Sequence, residues 1–222
     1  GRSGKIRVPK LYKAVKPPTK AERKGWQSLP FDEAEYLEHE VTARALTGLE
    51  DFSVFERTWA LPTFEIHGIR GGFVGEGAKT VIPAEASAKV SFRLVEGQDP
   101  QRIKQAFRDY VTARLPGDCR AVFTEHASGA AIALDWNMKP LAAAKRALTE
   151  EWGREALLVG SGASIPIVAD FKRTLGLDSL LIGFGLDDDN IHSPNEKYDL
   201  KSFHKGIRSW ARILAALAEV PR

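Results

Sequence analysis

His192-Ser193-Pro194-Asn195-Glu196, preceded by Gly183-Phe184-Gly185 and the acidic run Asp187-Asp188-Asp189, is the stretch on which the reading of the fold turns. Ser193 suits a helix N-cap, Pro194 suits the first helical position because its φ is preset, and Glu196 stands where a capping box needs an acid. The pattern predicts a helix from Ser193 to about Ala218, with Leu200, Phe203, Ile207, Trp210, Leu214 and Leu217 at helical spacing. Upstream, Ser179 to Phe184 reads as a buried strand. His192 then falls in the loop beyond a strand's carboxyl end, where open α/β sheets gather their ligands. Two roles are open to a histidine held there: metal ligand, or hydrogen-bonding loop residue.

Working back from that loop, Ser164 to Leu175 reads as a helix, Leu157 to Val159 as a strand, and Leu141, Ala144 and Leu148 mark a helix entered at Pro140 and closed by Gly153. Such βα alternation favours a parallel sheet covered by helices. The pattern before about Gly129 is different. Thr58 to Ile66 is a predicted strand, and Gly68 to Gly77 holds five glycines in ten positions. Ala86, Ala88, Val90, Phe92 and Leu94 then alternate with Ser87, Lys89, Ser91 and Arg93, the period of a half-buried strand, which puts Arg93 on the polar face. A helix opens at Asp99-Pro100, carries Ile103, Phe107, Tyr110 and Val111 on one side and stops at Pro116-Gly117; Arg120 to Thr124 is a further predicted strand. This order describes a small α+β layer. Residues 1 to about 55 are polar, with one helix near Asp32 to Ala43, and are expected to be peripheral.

Composition narrows the function classes. Hydrophobic residues make up 43 % of the 222 and charged residues 27 %, as in an ordinary soluble globular protein. No apolar run approaches the roughly 20 residues that span a bilayer. Cys119 is the only cysteine, which excludes an intramolecular disulfide framework and suits a reducing cytoplasm. The net charge is +3, and its basic excess between Arg2 and Lys24 reads as a solvated arm instead of a nucleic-acid tract. The opening Gly1-Arg2-Ser3-Gly4 lacks an initiator methionine, as expected of a processed product or part of a longer polypeptide.

Gly77-Ala78-Lys79-Thr80 lacks the spacing of a phosphate-binding P-loop. A second turn, Gly160-Ser161-Gly162-Ala163-Ser164, precedes a predicted helix, where free N–H groups and the positive helix end suit a carboxylate. Ser164 as a plain helix cap is the alternative. The turn lacks the Gly-x-Ser-x-Gly spacing of a nucleophile elbow. His39, His67, His126 and His204 form no local metal pair, and Asp187 to Asp189 lack EF-hand spacing.

Five motifs occur in order: Glu65-Ile66-His67-Gly68-Ile69; Gly75 to Pro83, reading Gly-Glu-Gly-Ala-Lys-Thr-Val-Ile-Pro; Ser91-Phe92-Arg93-Leu94-Val95; Ser164-Ile165-Pro166; and His192 to Glu196. Together they resemble the carnosinase-type dipeptidase branch of the zinc aminoacylase, deacetylase and carboxypeptidase family, over most of the chain.

The resemblance implies an α/β fold made of two parts. Residues 1–129 would be an α+β two-layer lid and dimerisation domain, incomplete at its start, and residues 130–222 the C-terminal part of a zinc-peptidase catalytic domain. It implies that His192 ligates one of two zinc ions, other divalent metals being possible, and that Arg93 and Ser164 bind the substrate's terminal carboxylate. The types make chemical sense, because imidazole is a good zinc ligand and guanidinium pairs with carboxylate through two parallel hydrogen bonds. The implied reaction is amide hydrolysis of a dipeptide or N-acyl amino acid by a metal-activated water, in a cytoplasmic homodimer joined through the lid, with neither nucleic acid nor membrane as partner. Gly160-Ser161-Gly162-Ala163 stands where the family commonly has Arg-Glu-Gly-Gly, which bears on substrate preference. The family's other metal ligands and its glutamate base fall upstream of Gly1, so no catalytic acid or base is assigned in these residues. The fragment alone is therefore expected to be inactive. The rival class is a non-catalytic dimerisation or binding module.

Overall fold

A computed structural model describes residues 4–46, 48–162 and 165–221. They form two compact units, Gly1–Ile132 with Gly160–Asp170, and Ala133–Val159 with Phe171–Arg222.

In the first unit the basic N-terminal stretch is docked, contrary to its expectation as a peripheral arm. Val8 and Leu11 are buried against Ile103, with Ile6, Tyr12, Phe92, Leu94 and Phe107 packed around them. The Leu11 carbonyl accepts from Gln98 Nε2 at 2.7 Å, and Ile6 N–H donates to the Tyr12 hydroxyl. The cause is the apolar residues interleaved with the lysines: burying Leu11 completely removes more free energy than the exposed charges cost. Helix α1, Lys20–Gln27, follows, opened by a full capping box in which Thr19 accepts from Glu22 N–H and Glu22 accepts from Thr19 N–H. Helix α2, Glu33–Glu35, is capped by Asp32 and runs on into a wider turn, Tyr36–Glu40, close to where a helix is expected after Pro30.

Strands β1, Thr63–Gly71, and β2, Ala86–Arg93, pair antiparallel, with Phe64 opposite Phe92 and Thr63 opposite Arg93. β1 begins later than predicted from sequence, because Glu56–Ala60 forms a helical turn instead. The register slips between Ile66 and Gly68, leaving His67 as the extra residue of a bulge. Phe64 and Phe92 face helix α3, Pro100–Thr112, and meet Phe107 with ring centroids 6.0 and 5.4 Å away. Asp99 caps α3 and Pro100 opens it, as its sequence requires. Arg120 to Thr124 joins no ladder among the described residues.

In the second unit, α4, Lys139–Trp152, ends at Gly153 in the left-handed region, as read from sequence. It packs on α6, Leu200–Ala218, through Ala144, Ala147 and Ile213. The small residues Ser202, Gly206 and Ser209 are buried on the same α6 helix. Ser209 takes the Trp152 indole N–H at 3.0 Å, and Arg208 and Arg212 hold Glu151. Helix α5, Pro166–Leu175, whose residues are divided between the two units at Asp170, is stopped by Gly176 at φ +67°. The predicted strands Leu157 to Val159 and Ser179 to Phe184 lie between helices as expected, but join no ladder among the described residues. An apolar run can be extended by itself, whereas a ladder needs a neighbouring strand for its N–H and C=O groups.

Candidate functional site

The polar face of the β1–β2 hairpin gathers Glu65, His67, Ser91 and Arg93. Glu65 lies directly opposite Ser91, and the Ser91 hydroxyl donates to Glu65 Oε2 at 3.0 Å. A hydroxyl has one proton, so the contact of 2.6 Å between Ser91 Oγ and His67 Nε2 has the imidazole as donor. The bulge makes this possible by re-aiming His67. Glu65 Oε1 accepts from the Thr63 hydroxyl and lies 3.5 Å from Arg93 Nε. Arg93 is half exposed, on the face that alternation predicts, and its Nη1 donates to the Gly162 carbonyl at 2.6 Å. The hairpin and the glycine turn are thereby tied together.

That turn is shaped by close packing. A Cβ at Gly160 would lie 2.5 Å from Trp59 Cγ, and one at Gly162 would lie 3.0 Å from the Thr58 carbonyl. Trp59 is itself held by stacking on Phe55, with centroids 4.3 Å apart, and by the edge of Trp26 at 5.6 Å. Glycine at 160 is thus a requirement of approach to an indole. Ser164, the second carboxylate-binding candidate, lies outside the described residues.

His192 is exposed and stands in a loop, not at a helix lip. The helix predicted from Ser193 begins only at Leu200, and its cap is Asp199, whose side chain accepts from Ser202 N–H at 3.0 Å. Ser193 and Glu196 therefore make no capping box. The backbone explains why: Asn190, His192 and Asn195 have φ values of +53°, +63° and +62°, which a right-handed helix does not admit. Instead the loop is clamped from both sides. Asp189, only 1 % exposed, accepts from Leu186 N–H at 2.8 Å and from Lys197 Nζ at 3.0 Å, and Lys197 N–H returns to the Asp189 carbonyl. The Leu186 N–H first, and then Lys197, hold the Asp189 carboxyl below its ordinary value. Asp188 and Asp189 in turn raise the Lys197 ammonium.

Sequence reading missed Glu65, Ser91, Asp189 and Lys197 as supporting residues. For the first two the alternation that exposed Arg93 was a usable signal; nothing in the spacing of Asp189 and Lys197 announces their pairing. Among the described residues no group of three or more His, Cys, Asp or Glu side chains could hold a metal ion. A catalytic zinc needs about three protein ligands, so these residues do not by themselves make a zinc site. His192, the ligand expected from sequence, is exposed and belongs to no such group. Among the described residues no helix is long and apolar enough to cross a membrane.

Hairpin and helix together define a recognisable class of module: residues 19–119 match the peptidase dimerisation domain. The particular family follows from a longer match, residues 71–216, more than half of the chain. The chain belongs to peptidase family M20/M25/M40. The family resemblance read from the five motifs, and the fold class it implied, are thus right. The Cys-Gly metallodipeptidase DUG1 of Candida albicans is 31% identical over 214 residues, 93% of this chain and 43% of that protein. The Beta-Ala-His dipeptidase of Homo sapiens is 29% identical over 229 residues, 98% of this chain and 43% of that protein. Among solved structures, the di-peptidase Dug1p from Saccharomyces cerevisiae is similar with a TM-score of 0.79 at 30% identity, covering 99% of this chain and 46% of that one. The chain spans under half the length of the relatives it matches.

Proposed function

We propose that this chain is part of a zinc-dependent metallopeptidase that hydrolyses the amide bond of dipeptides or N-acyl amino acids. In this reading Arg93 and the turn leading to Ser164 receive the substrate's terminal carboxylate, and His192 supplies one metal ligand. The observation that carries it is the Arg93–Gly162 hydrogen bond, which joins an exposed guanidinium to the turn where a carboxylate cradle is expected from sequence. The names of the relatives, both dipeptidases, support the substrate class. The match to a dimerisation domain supports residues 1–129 as a lid that pairs two copies, with residues 130–222 as part of the catalytic domain. The single exposed Cys119 suits a cytoplasmic location.

What this chain contributes to the reaction is recognition. A fixed guanidinium and backbone N–H groups at a turn bind a carboxylate and so set which amide bond is presented. The match of residues 19–119 to a dimerisation domain is what supports a second reading, a binding or dimerisation module without catalysis. The two are separated by assay. The 222 residues alone are expected to hydrolyse no dipeptide, and chelator-sensitive turnover by them would overturn the count of one metal ligand. In the intact enzyme, zinc-dependent hydrolysis supports the peptidase reading; zinc-free protein without hydrolytic activity would leave the module.

A further inference from the structure

One carboxylate on the hairpin has no part in the reading above. Glu65 has both oxygens engaged: Oε2 takes the Ser91 hydroxyl at 3.0 Å, and Oε1 takes the Thr63 hydroxyl. Ser91 is itself fixed by His67 at 2.6 Å. Glu65 is therefore held by two hydroxyls on its own sheet face, and among the described residues the cation it pairs with is Arg93, whose Nε lies 3.5 Å from Oε1.

We infer that Glu65 is the positioning residue for Arg93, turning the Nε edge of the guanidinium inward so that its Nη edge meets the substrate carboxylate. The inference rests on the carboxylate-binding role proposed for Arg93. A guanidinium carries five N–H donors in one plane. One Nη1 proton goes to the Gly162 carbonyl at 2.6 Å, and the Nε side faces Glu65. A hydrogen bond at one edge and an ion-pair contact at the other restrict its swing more than a single attachment would. The second Nη1 proton and both Nη2 protons remain, and adjacent Nη donors are the fork that a carboxylate accepts in two parallel bonds.

A competing role for Glu65 is to occupy the guanidinium and keep substrate off. The geometry opposes it. Glu65 meets Nε from one oxygen at 3.5 Å instead of forking both, and its two hydroxyl donors hold it in place. The two roles also differ in sign. Removing a negative charge beside Arg93 strengthens attraction for a substrate carboxylate if Glu65 is only a charge. The same change weakens binding if Glu65 orients the donors.

The test uses the intact enzyme with a dipeptide and its carboxyl-amidated counterpart. Glu65→Gln keeps the side-chain volume; it is expected to raise KM for the free acid several-fold, with kcat and the amidated substrate little changed. Ser91→Ala, which removes one of the ties on Glu65, is expected to raise the same KM to a smaller degree. Unchanged or lowered KM for the free acid in both variants would overturn the inference. Arg93→Ala separates the two levels of argument. If it fails to erase the preference for free acid over amide, the Arg93 reading falls and the inference with it; if it erases the preference while Glu65→Gln binds normally, the inference alone falls. A measurement independent of turnover is the exchange rate of the Arg93 Nε proton by NMR on the 222-residue chain. It is expected to be slowed in the parent and to reach the rate of a solvent-exposed arginine in Glu65→Gln, and equal rates would overturn the positioning role.

Discussion

The hairpin that carries Arg93 and the loop that carries His192 are held by different physics. Arg93 stands on a paired strand, where side chains alternate and the packing of the partly buried Phe92 on one face fixes Arg93 on the other. His192 stands in a loop whose shape follows from an ion pair between the buried Asp189 and the half-exposed Lys197 and from three non-glycine residues at positive φ. A change near Arg93 is confined by the ladder. Around His192, the geometry depends on one carboxylate, Asp189, that accepts from both sides of the loop. The first kind of support is rugged and the second fragile.

The largest effect that would test this contrast is chemical. His192→Ala in the intact enzyme is expected to lower zinc content, read by elemental analysis, and to remove activity. It should leave the melting temperature nearly unchanged, because the imidazole is exposed and makes no hydrogen bond in the loop clamp. His204→Ala is the control and is expected to keep its metal. Full zinc occupancy without His192 would reduce that histidine to a loop residue.

Next in size, Arg93→Ala is expected to cost about 1.5–3 kcal/mol in binding substrates with a free carboxylate, roughly 10- to 150-fold in kcat/KM. Equal losses for carboxyl-amidated substrates would break the assignment. The hairpin should survive, since Phe64, Phe92 and Phe107 still pack together.

Asp189→Asn probes the fragile support. It leaves Lys197 without its buried partner and is expected to speed hydrogen exchange of residues 186–198 while the β1–β2 amides keep their protection. The pH dependence has a definite sign. A depressed carboxyl stabilises the fold at pH above its ordinary value of 3.8, and this contribution is lost as the pH falls through the depressed folded value. Loop protection that is unchanged by the substitution and flat through acid pH would show that the clamp does not hold the loop.

Two smaller substitutions sharpen the first unit. Gly160→Ala pushes a methyl into the Trp59 indole and is expected to destabilise by about 1–3 kcal/mol, the usual cost of overpacking. The fluorescence of the stacked tryptophan should shift with it, and an unchanged melting curve would mean that the turn gives way freely. Thr19→Ala removes the α1 cap, and about 1 kcal/mol is expected from denaturant titration.

How legible these regions were depends on the range of the interactions that form them. α3 and α4 were readable at their ends, because Asp99-Pro100 and Pro140 with Gly153 act within a few residues of the backbone they organise. Docking of the basic N-terminal stretch was missed because charge dominates its composition, while the residues that decide its place, Val8 and Leu11, find their partner some ninety positions away at Ile103. The helix read from Ser193 was a local inference overridden from outside. Pro194 and Glu196 satisfy the cap pattern, yet Asp189 pulls Lys197 back across the loop and leaves the cap to Asp199. Glu65 and Ser91 were visible as members of polar strand faces, but their pairing requires a register.

By itself the sequence determined the family, through five ordered motifs, and the outward face of Arg93, through a period of two that burial of alternate residues enforces. Only the tertiary structure decided that Glu65 meets Arg93, that Arg93 reaches the carbonyl of Gly162 and that His192 stands in a clamped loop. The reason is physical. Propensities and caps act over one turn of backbone, whereas each of those contacts depends on a neighbour brought close by register or by burial, and no local pattern encodes which neighbour that is.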